Sequence, residues 1–137
     1  MDWKRVKPLE SEDLIEQFEQ EVHFTFPEDF KACVKHYNGA RPMRRLFDTD
    51  RSKDRVMKSL LSFNPGDREP VWKIRAWNEG AAENRYVAIA IDPFGNLICF
   101  DTESGGIIFL NHEDMSAEHI ADSFTEFLEL LREEPEE

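Results

Sequence analysis

Tyr86-Val87-Ala88-Ile89-Ala90-Ile91, followed by Asp92-Pro93-Phe94-Gly95-Asn96 and then Leu97-Ile98-Cys99-Phe100-Asp101, is the stretch whose reading decides the fold. Two short apolar runs rich in β-branched residues flank five residues of turn chemistry, which is the pattern of a β-hairpin. Gly105-Gly106 supplies a second turn and Ile107-Ile108-Phe109-Leu110-Asn111-His112 a third strand, so the pattern extends to a meander at the centre of a sheet. Unbroken apolar runs of this length, without polar alternation, predict strands covered on both faces.

The elements that cover them are sought on either side. After Glu113-Asp114, the residues Ile120, Phe124, Phe127, Leu128 and Leu131 are spaced to bury one side of a C-terminal helix. Near the other end, Ser11 followed by Glu12 and Asp13 reads as a helix start, and Leu14, Ile15, Phe18 and Val22 recur at helical spacing to about His23. Thr25 and Glu28 have the spacing of a capping box around Pro27, Phe30, Cys33, Val34 and Tyr37 give a second apolar stripe, and Asn38-Gly39 closes it. Arg45-Leu46-Phe47-Asp48 and the run from Val56 to Phe63 look strand-like, but periodicity does not settle residues 41–63. Asn64-Pro65-Gly66-Asp67 is a turn, and Val71, Trp72, Ile74 and Trp77 fit either a short helix packing both indoles or an exposed aromatic patch. The expected architecture is α+β: a central mixed, mostly antiparallel twisted sheet of about five or six strands, with two N-terminal helices and a C-terminal helix packed on it.

The chain's 137 residues suit one domain, expected over residues 1–132, with Glu133-Glu134-Pro135-Glu136-Glu137 as a solvated, flexible acidic tail. Cations number 17 against 29 carboxylates, a net charge of −12, which excludes nucleic acid as an expected direct partner because phosphate binding needs a basic face. The imbalance is uneven. Residues 1–40 carry five cations and nine carboxylates, residues 41–75 ten and five, and residues 76–137 two and fifteen. No apolar run approaches the roughly 20 residues of a membrane helix, so a cytoplasmic protein is expected. Cys33 and Cys99 sit in apolar patterns and read as reduced, buried small hydrophobes; neither metal nor other cofactor is expected.

Enzymatic signatures are weak. Gly105-Gly106 lacks the lysine and following helix of a phosphate cradle, and neither Ser62 nor Ser104 stands in a nucleophile-elbow frame. The best catalytic set is Asp92, Asp101, His112 and Asp114, at the ends of neighbouring expected strands, where carboxylates and imidazole bind metal or activate water. The competing reading, favoured here, is that these aspartates brace turns and the following helix.

Several segments together resemble a known family. Phe26-Pro27-Glu28-Asp29-Phe30 and Tyr37-Asn38-Gly39, the Ala88-Ile89-Ala90-Ile91-Asp92 strand, the hairpin through Gly95-Asn96 to Ile98, Phe100 and Asp101, Ile108 with Asn111-His112, and Ala121-Asp122-Ser123-Phe124 with Phe127-Leu128 are similar, in order and spacing, to the SUKH superfamily, in its cell-wall-assembly-regulator branch. The resemblance implies an α+β fold with helices packed on a mixed, twisted sheet; from the weak catalytic signatures, no enzymatic activity is expected. In bacteria it implies an immunity protein that neutralises a polymorphic toxin, commonly a nuclease or deaminase. Residues 41–77 do not align with the family pattern, and variable segments of this kind are where partner choice is expected to reside.

Charge and resemblance together point to an acidic, aromatic-studded face that docks on a toxin's basic substrate surface. Trp72, Trp77 and Phe94 are the candidate anchors and Glu79, Glu83, Asp101 and Glu103 the steering charges, with core packing the competing role for each indole. The expected protein is a monomer or weak dimer. The alternatives are an adaptor with several protein partners and, less favoured, a small hydrolase built on the Asp92 set.

Overall fold

The computed structural model describes residues 1–77 and 85–135, with the Trp77 side chain outside the description. The central hairpin forms as the sequence predicts: β6 (Tyr86–Ile91) pairs antiparallel with β7 (Leu97–Asp101), and β7 with β8 (Ile107–Leu110). Every residue of β7 and β8 is buried, which is why these runs carry no polar alternation. The register shifts by one between Ala88 and Ala90, a bulge that leaves Ile89 unpaired within β6.

The sheet has five strands, in the order β5 (Ser59–Leu60), β6, β7, β8 and β9 (Ala117–Ala121), and all its pairings are antiparallel. Two short ribbons join it: β1 (Trp3–Lys4) with β2 (Arg41–Pro42), and β3 (Leu46–Phe47) with β4 (Arg55–Val56). The segment expected as the start of the last helix is therefore a strand. Ile120 belongs to β9, and the helix α4 spans only Phe124–Leu130. The helical spacing was misleading because a left-handed Met115 (φ 59°) and the Met115 N–Asn111 O bond fold the chain straight back along β8. The true start lies at Ser123, whose hydroxyl accepts from the Glu126 N–H at 3.1 Å. A Ser-x-x-Glu spacing marks it in the sequence.

Helix α1 (Asp13–Val22) starts with the Asp13 N–H donating to the Ser11 hydroxyl and stops at a left-handed His23. Helix α2 (Glu28–Tyr37) lacks the expected capping box: Pro27 occupies the cap position and no side chain caps it. Instead Glu19 of α1 accepts from the Phe26 N–H at 2.7 Å, fixing the connection between the helices. The short helix α3 (Val71–Trp77) confirms the helical alternative for that segment and packs on β6. Rings from all layers meet in one cluster: Phe18 of α1, Phe26 in the link, Phe30 of α2, Phe63, Phe100 of β7 and Phe124 of α4. Their edge-to-face and tilted contacts join helices to sheet through apolar burial.

One polar side chain is sealed beside this cluster. Asn38, at the end of α2, is almost fully buried and accepts from the Phe63 N–H at 2.9 Å while donating to the Lys7 carbonyl (2.9 Å) and the Ser62 hydroxyl (3.0 Å). Gly39 follows at φ +66°, with the Lys7 stem so close that an added β-carbon would stand 3.2 Å from it. Asn38→Ala strips three buried partners at once and is expected to cost about 2–4 kcal/mol, read as a lower urea midpoint with an unchanged slope.

Candidate partner-binding surface

The two ends of the β6–β7 hairpin are built differently. At the turn, Asp92 is buried and its carboxylate accepts from the Phe94 N–H (2.9 Å), the Asn96 N–H (2.7 Å) and the Asn96 side-chain amide (2.8 Å). Gly95 takes φ +90°, and the Asn96 side-chain oxygen accepts from the His112 N–H at 3.1 Å, tying the turn to the β8–β9 loop. The backbone is thus held from three sides. On top of it Phe94 is 75 % exposed, the most exposed large hydrophobic among the described residues. A ring held in water on a pinned turn loses little conformational freedom when it docks.

At the other end, Arg85 grips Asp101 with both arms of its guanidinium, Nε–Oδ1 at 2.8 Å and NH2–Oδ2 at 2.7 Å. Asp101 is 5 % exposed and also accepts from the Glu103 N–H. The Arg85 hydrogen bond holds its carboxyl below the usual carboxylate range against the opposing effect of burial. Its charge is therefore spent inside the molecule. Glu103 is exposed and reaches Arg85 Nε at 2.9 Å. Arg85 went unnoticed in the sequence, although counting the hairpin back from its turn, across the bulge, places it beside the Tyr86–Asp101 pair.

The other candidates separate. Trp72 is half-buried, edge-on to Phe18 with centroids 5.0 Å apart, and donates from its indole to the Phe63 carbonyl at 3.1 Å. It packs against the core with part of its surface exposed. Trp77 ends α3, its side chain outside the description; Glu79 and Glu83 lie outside the described residues. Phe94 and Asp101 stand at opposite ends of a strand whose four steps span about 13 Å, so they do not share a patch.

The catalytic set is likewise divided. Asp92 and His112 belong to the turn end and Asp101 to the other, while Asp114 accepts from the Ser116 N–H. Among the described residues no three His, Cys, Asp or Glu side chains are placed to hold a metal ion. Burial, with Asp29 nearby, pushes the Cys33 thiol up to about 12, and burial alone raises that of Cys99, which removes the thiolate a nucleophile needs.

Sequence charge is also redistributed by folding. Residues 41–75 meet the C-terminal part directly and in both polarities: Arg45 pairs with Glu134 at 3.3 Å, while Arg132 pairs with Asp48 at 2.9 Å and with Asp54. Arg55 lies over the Phe109 ring at 4.6 Å, and buried Glu118 accepts from Thr49 and Ser52. Among the described residues no helix is long and apolar enough to cross a membrane.

The profile of a SUKH family, SUKH_6, described as SMI1-KNR4 cell-wall, matches residues 12–128. The chain belongs to the SUKH family. The match runs from the start of α1 almost to the end of α4, and so takes in the whole five-stranded sheet and residues 41–77. No curated protein matches the sequence. SUKH domains are in general non-enzymatic immunity or regulatory domains, and this one is consistent with the immunity proteins of toxin systems.

Asp101→Asn tests the structural role of the Arg85 grip. At pH 7 the variant is expected to melt roughly 3–6 °C below the wild type. Because the folded carboxyl titrates below its unfolded value of about 3.9, the stability it contributes is present above that value and lost as pH falls through the folded value. The two melting curves should therefore converge in acid, as followed by circular dichroism between pH 7 and pH 2.

Proposed function

We propose that this SUKH domain is an immunity protein, which binds a cognate protein toxin of the nuclease class and keeps nucleic acid out of its basic substrate site. Phe94 carries the reading. A large aromatic, 75 % exposed on a turn fixed by buried hydrogen bonds, has the form of an interface anchor and serves no packing role that would otherwise explain it. Family membership supports a protein as the partner and is consistent with a toxin. The net charge of −12 supplies attraction for a basic one and accelerates encounter over distances of the order of the Debye length, about 8 Å at physiological salt.

Anchor and steering charges act separately in this mechanism. Phe94 enters an apolar pocket on the toxin and sets how long the complex lasts. Glu103, together with Glu79 and Glu83, attracts the toxin's lysines and arginines and sets how fast it forms. Trp77 is a second anchor in this proposal. Asp101 contributes through the Arg85 grip, which holds the strand end beneath Glu103. The protein acts in the cytoplasm of the cell that makes the toxin, as a monomer or weak dimer, and uses no cofactor.

The test is titration calorimetry against the toxin domain encoded beside the gene, expressed as an inactive variant. Phe94→Ala is expected to weaken a roughly 1:1 complex by about 30-fold, or ~2 kcal/mol, with no fall in melting temperature. Reversal of Glu79, Glu83 and Glu103 to Lys should flatten the salt dependence of the association rate. Unchanged affinity in Phe94→Ala would remove the anchor, and many weak partners in place of one tight complex would replace immunity with an adaptor role.

A further inference from the structure

The ribbon formed by β1 and β2 has a feature that the toxin reading does not use. Its register places Lys4 directly opposite Arg41. Like charges facing each other across an antiparallel pair oppose the pairing. Among the described residues no carboxylate lies within ion-pair distance of either, nor of the neighbouring Arg5, Lys7 and Arg44. Arg5 is held in the left-handed region at φ 56°, which a bulky residue rarely adopts. An acidic molecule has thus gathered five unpaired cations around one two-stranded ribbon.

The same ribbon is apolar between its charges. Trp3 stacks on Tyr37 with centroids 5.7 Å apart and planes 19° from parallel, and Val6, Tyr37 and Met43 are exposed, Met43 by 51 %. The ribbon also has an open side. The outer strands of the central sheet are both covered: the Leu60 N–H of β5 donates to the Ala40 carbonyl, and the Asp50 N–H donates to the His119 carbonyl of β9. By contrast β1 pairs with β2 and, among the described residues, with no strand on its other side. An unpaired strand edge takes an added polypeptide strand.

We propose that this ribbon is a docking site for an extended, acidic segment of a partner protein, added as a strand along β1, with its carboxylates on Lys4, Arg5, Arg41 and Arg44 and its apolar side chains on Trp3, Val6 and Met43. A polypeptide fits better than a nucleic acid, because the open edge offers backbone pairing and the facing rings of Trp3 and Tyr37 are occupied by each other. Two of the protein's own carboxylates stand beside the ribbon without pairing with its cations: Asp2 and Glu133 line a cleft of about 250 Å³ with Met1, Met43 and Arg44. Carboxylates elsewhere on the molecule are largely screened from this site at physiological salt, where the Debye length is about 8 Å.

The proposal is tested with a fluorescein-labelled twelve-residue peptide of alternating glutamate and leucine or valine, read by anisotropy against the intact protein. Saturable binding is expected. Lys4→Glu and Arg41→Glu should each weaken it at least tenfold. Each variant also creates an opposite-charge pair in the ribbon, so its melting temperature should equal or exceed that of the wild type, and lost binding then does not reflect unfolding. Phe94→Ala should bind the peptide as the wild type does, which separates this site from the toxin anchor. Failure of the peptide to saturate, unchanged binding in the folded Lys4→Glu protein, or tighter binding of a labelled single-stranded DNA dodecamer would each overturn the assignment.

Discussion

The fold depends on one buried amide. Asn38 sits where three segments distant in sequence meet, and it joins the end of α2 to residue 7 on one side and residues 62 and 63 on the other. Ser62 extends the connection by donating to Asp67 at 2.6 Å, and Asn64 continues it to the Pro8 carbonyl and the Glu10 N–H. A sealed polar network of this kind adds stability only if every member is satisfied, and then it permits a single arrangement. Here that arrangement sets the entry of the N-terminal ribbon, the position of β5 beside β6, and the floor on which Trp72 and Phe63 pack. The phenylalanine cluster provides the driving force, but its ring contacts are less directional than the hydrogen bonds of Asn38.

How far the sequence could be read followed the kind of force at work. The β6–β7–β8 meander was legible because its burial is so complete that no polar residue interrupts it, and α1 and α2 because their apolar spacing matches their faces. Ala117–Ala121 was not, since Ile120 and Phe124 satisfy a helical period while belonging to different elements; the decisive event is a tight return at Met115 that hydrophobic spacing does not record. Residues 41–63 were opaque for a related reason. Their strands are two residues long and are held by tertiary partners such as the Leu46–Arg132 bridge, so local sequence carries little of the information. At the candidate surface, Phe94 was legible as a turn-borne aromatic. The inward role of Asp101 was hidden because its partner, Arg85, precedes the strand and carries no pattern of its own.

The charge pattern illustrates the same gap between order along a chain and order in space. A basic middle followed by an acidic third suggests two oppositely charged surfaces, yet folding brings Arg45, Asp48 and Asp54 against the C-terminal part, where they pair with Glu134 and Arg132. Exposed pairs of this type add little stability each. Their larger effect is on the field that a partner meets. They neutralise one another at short range and leave the unpaired groups, the ribbon's cations among them, to define the electrostatic relief of the surface.

The turn at residues 92–96 separates shape from identity. Its conformation is fixed by the Asp92 carboxylate, the Asn96 amide and the positive φ of Gly95, while the side chain at position 94 takes no part in holding it. A different residue there would ride on the same backbone at little cost to the fold. A lineage confronted by changing partners can therefore vary what it displays at this point while the scaffold beneath stays constant, and new specificity need not be preceded by compensating stability mutations.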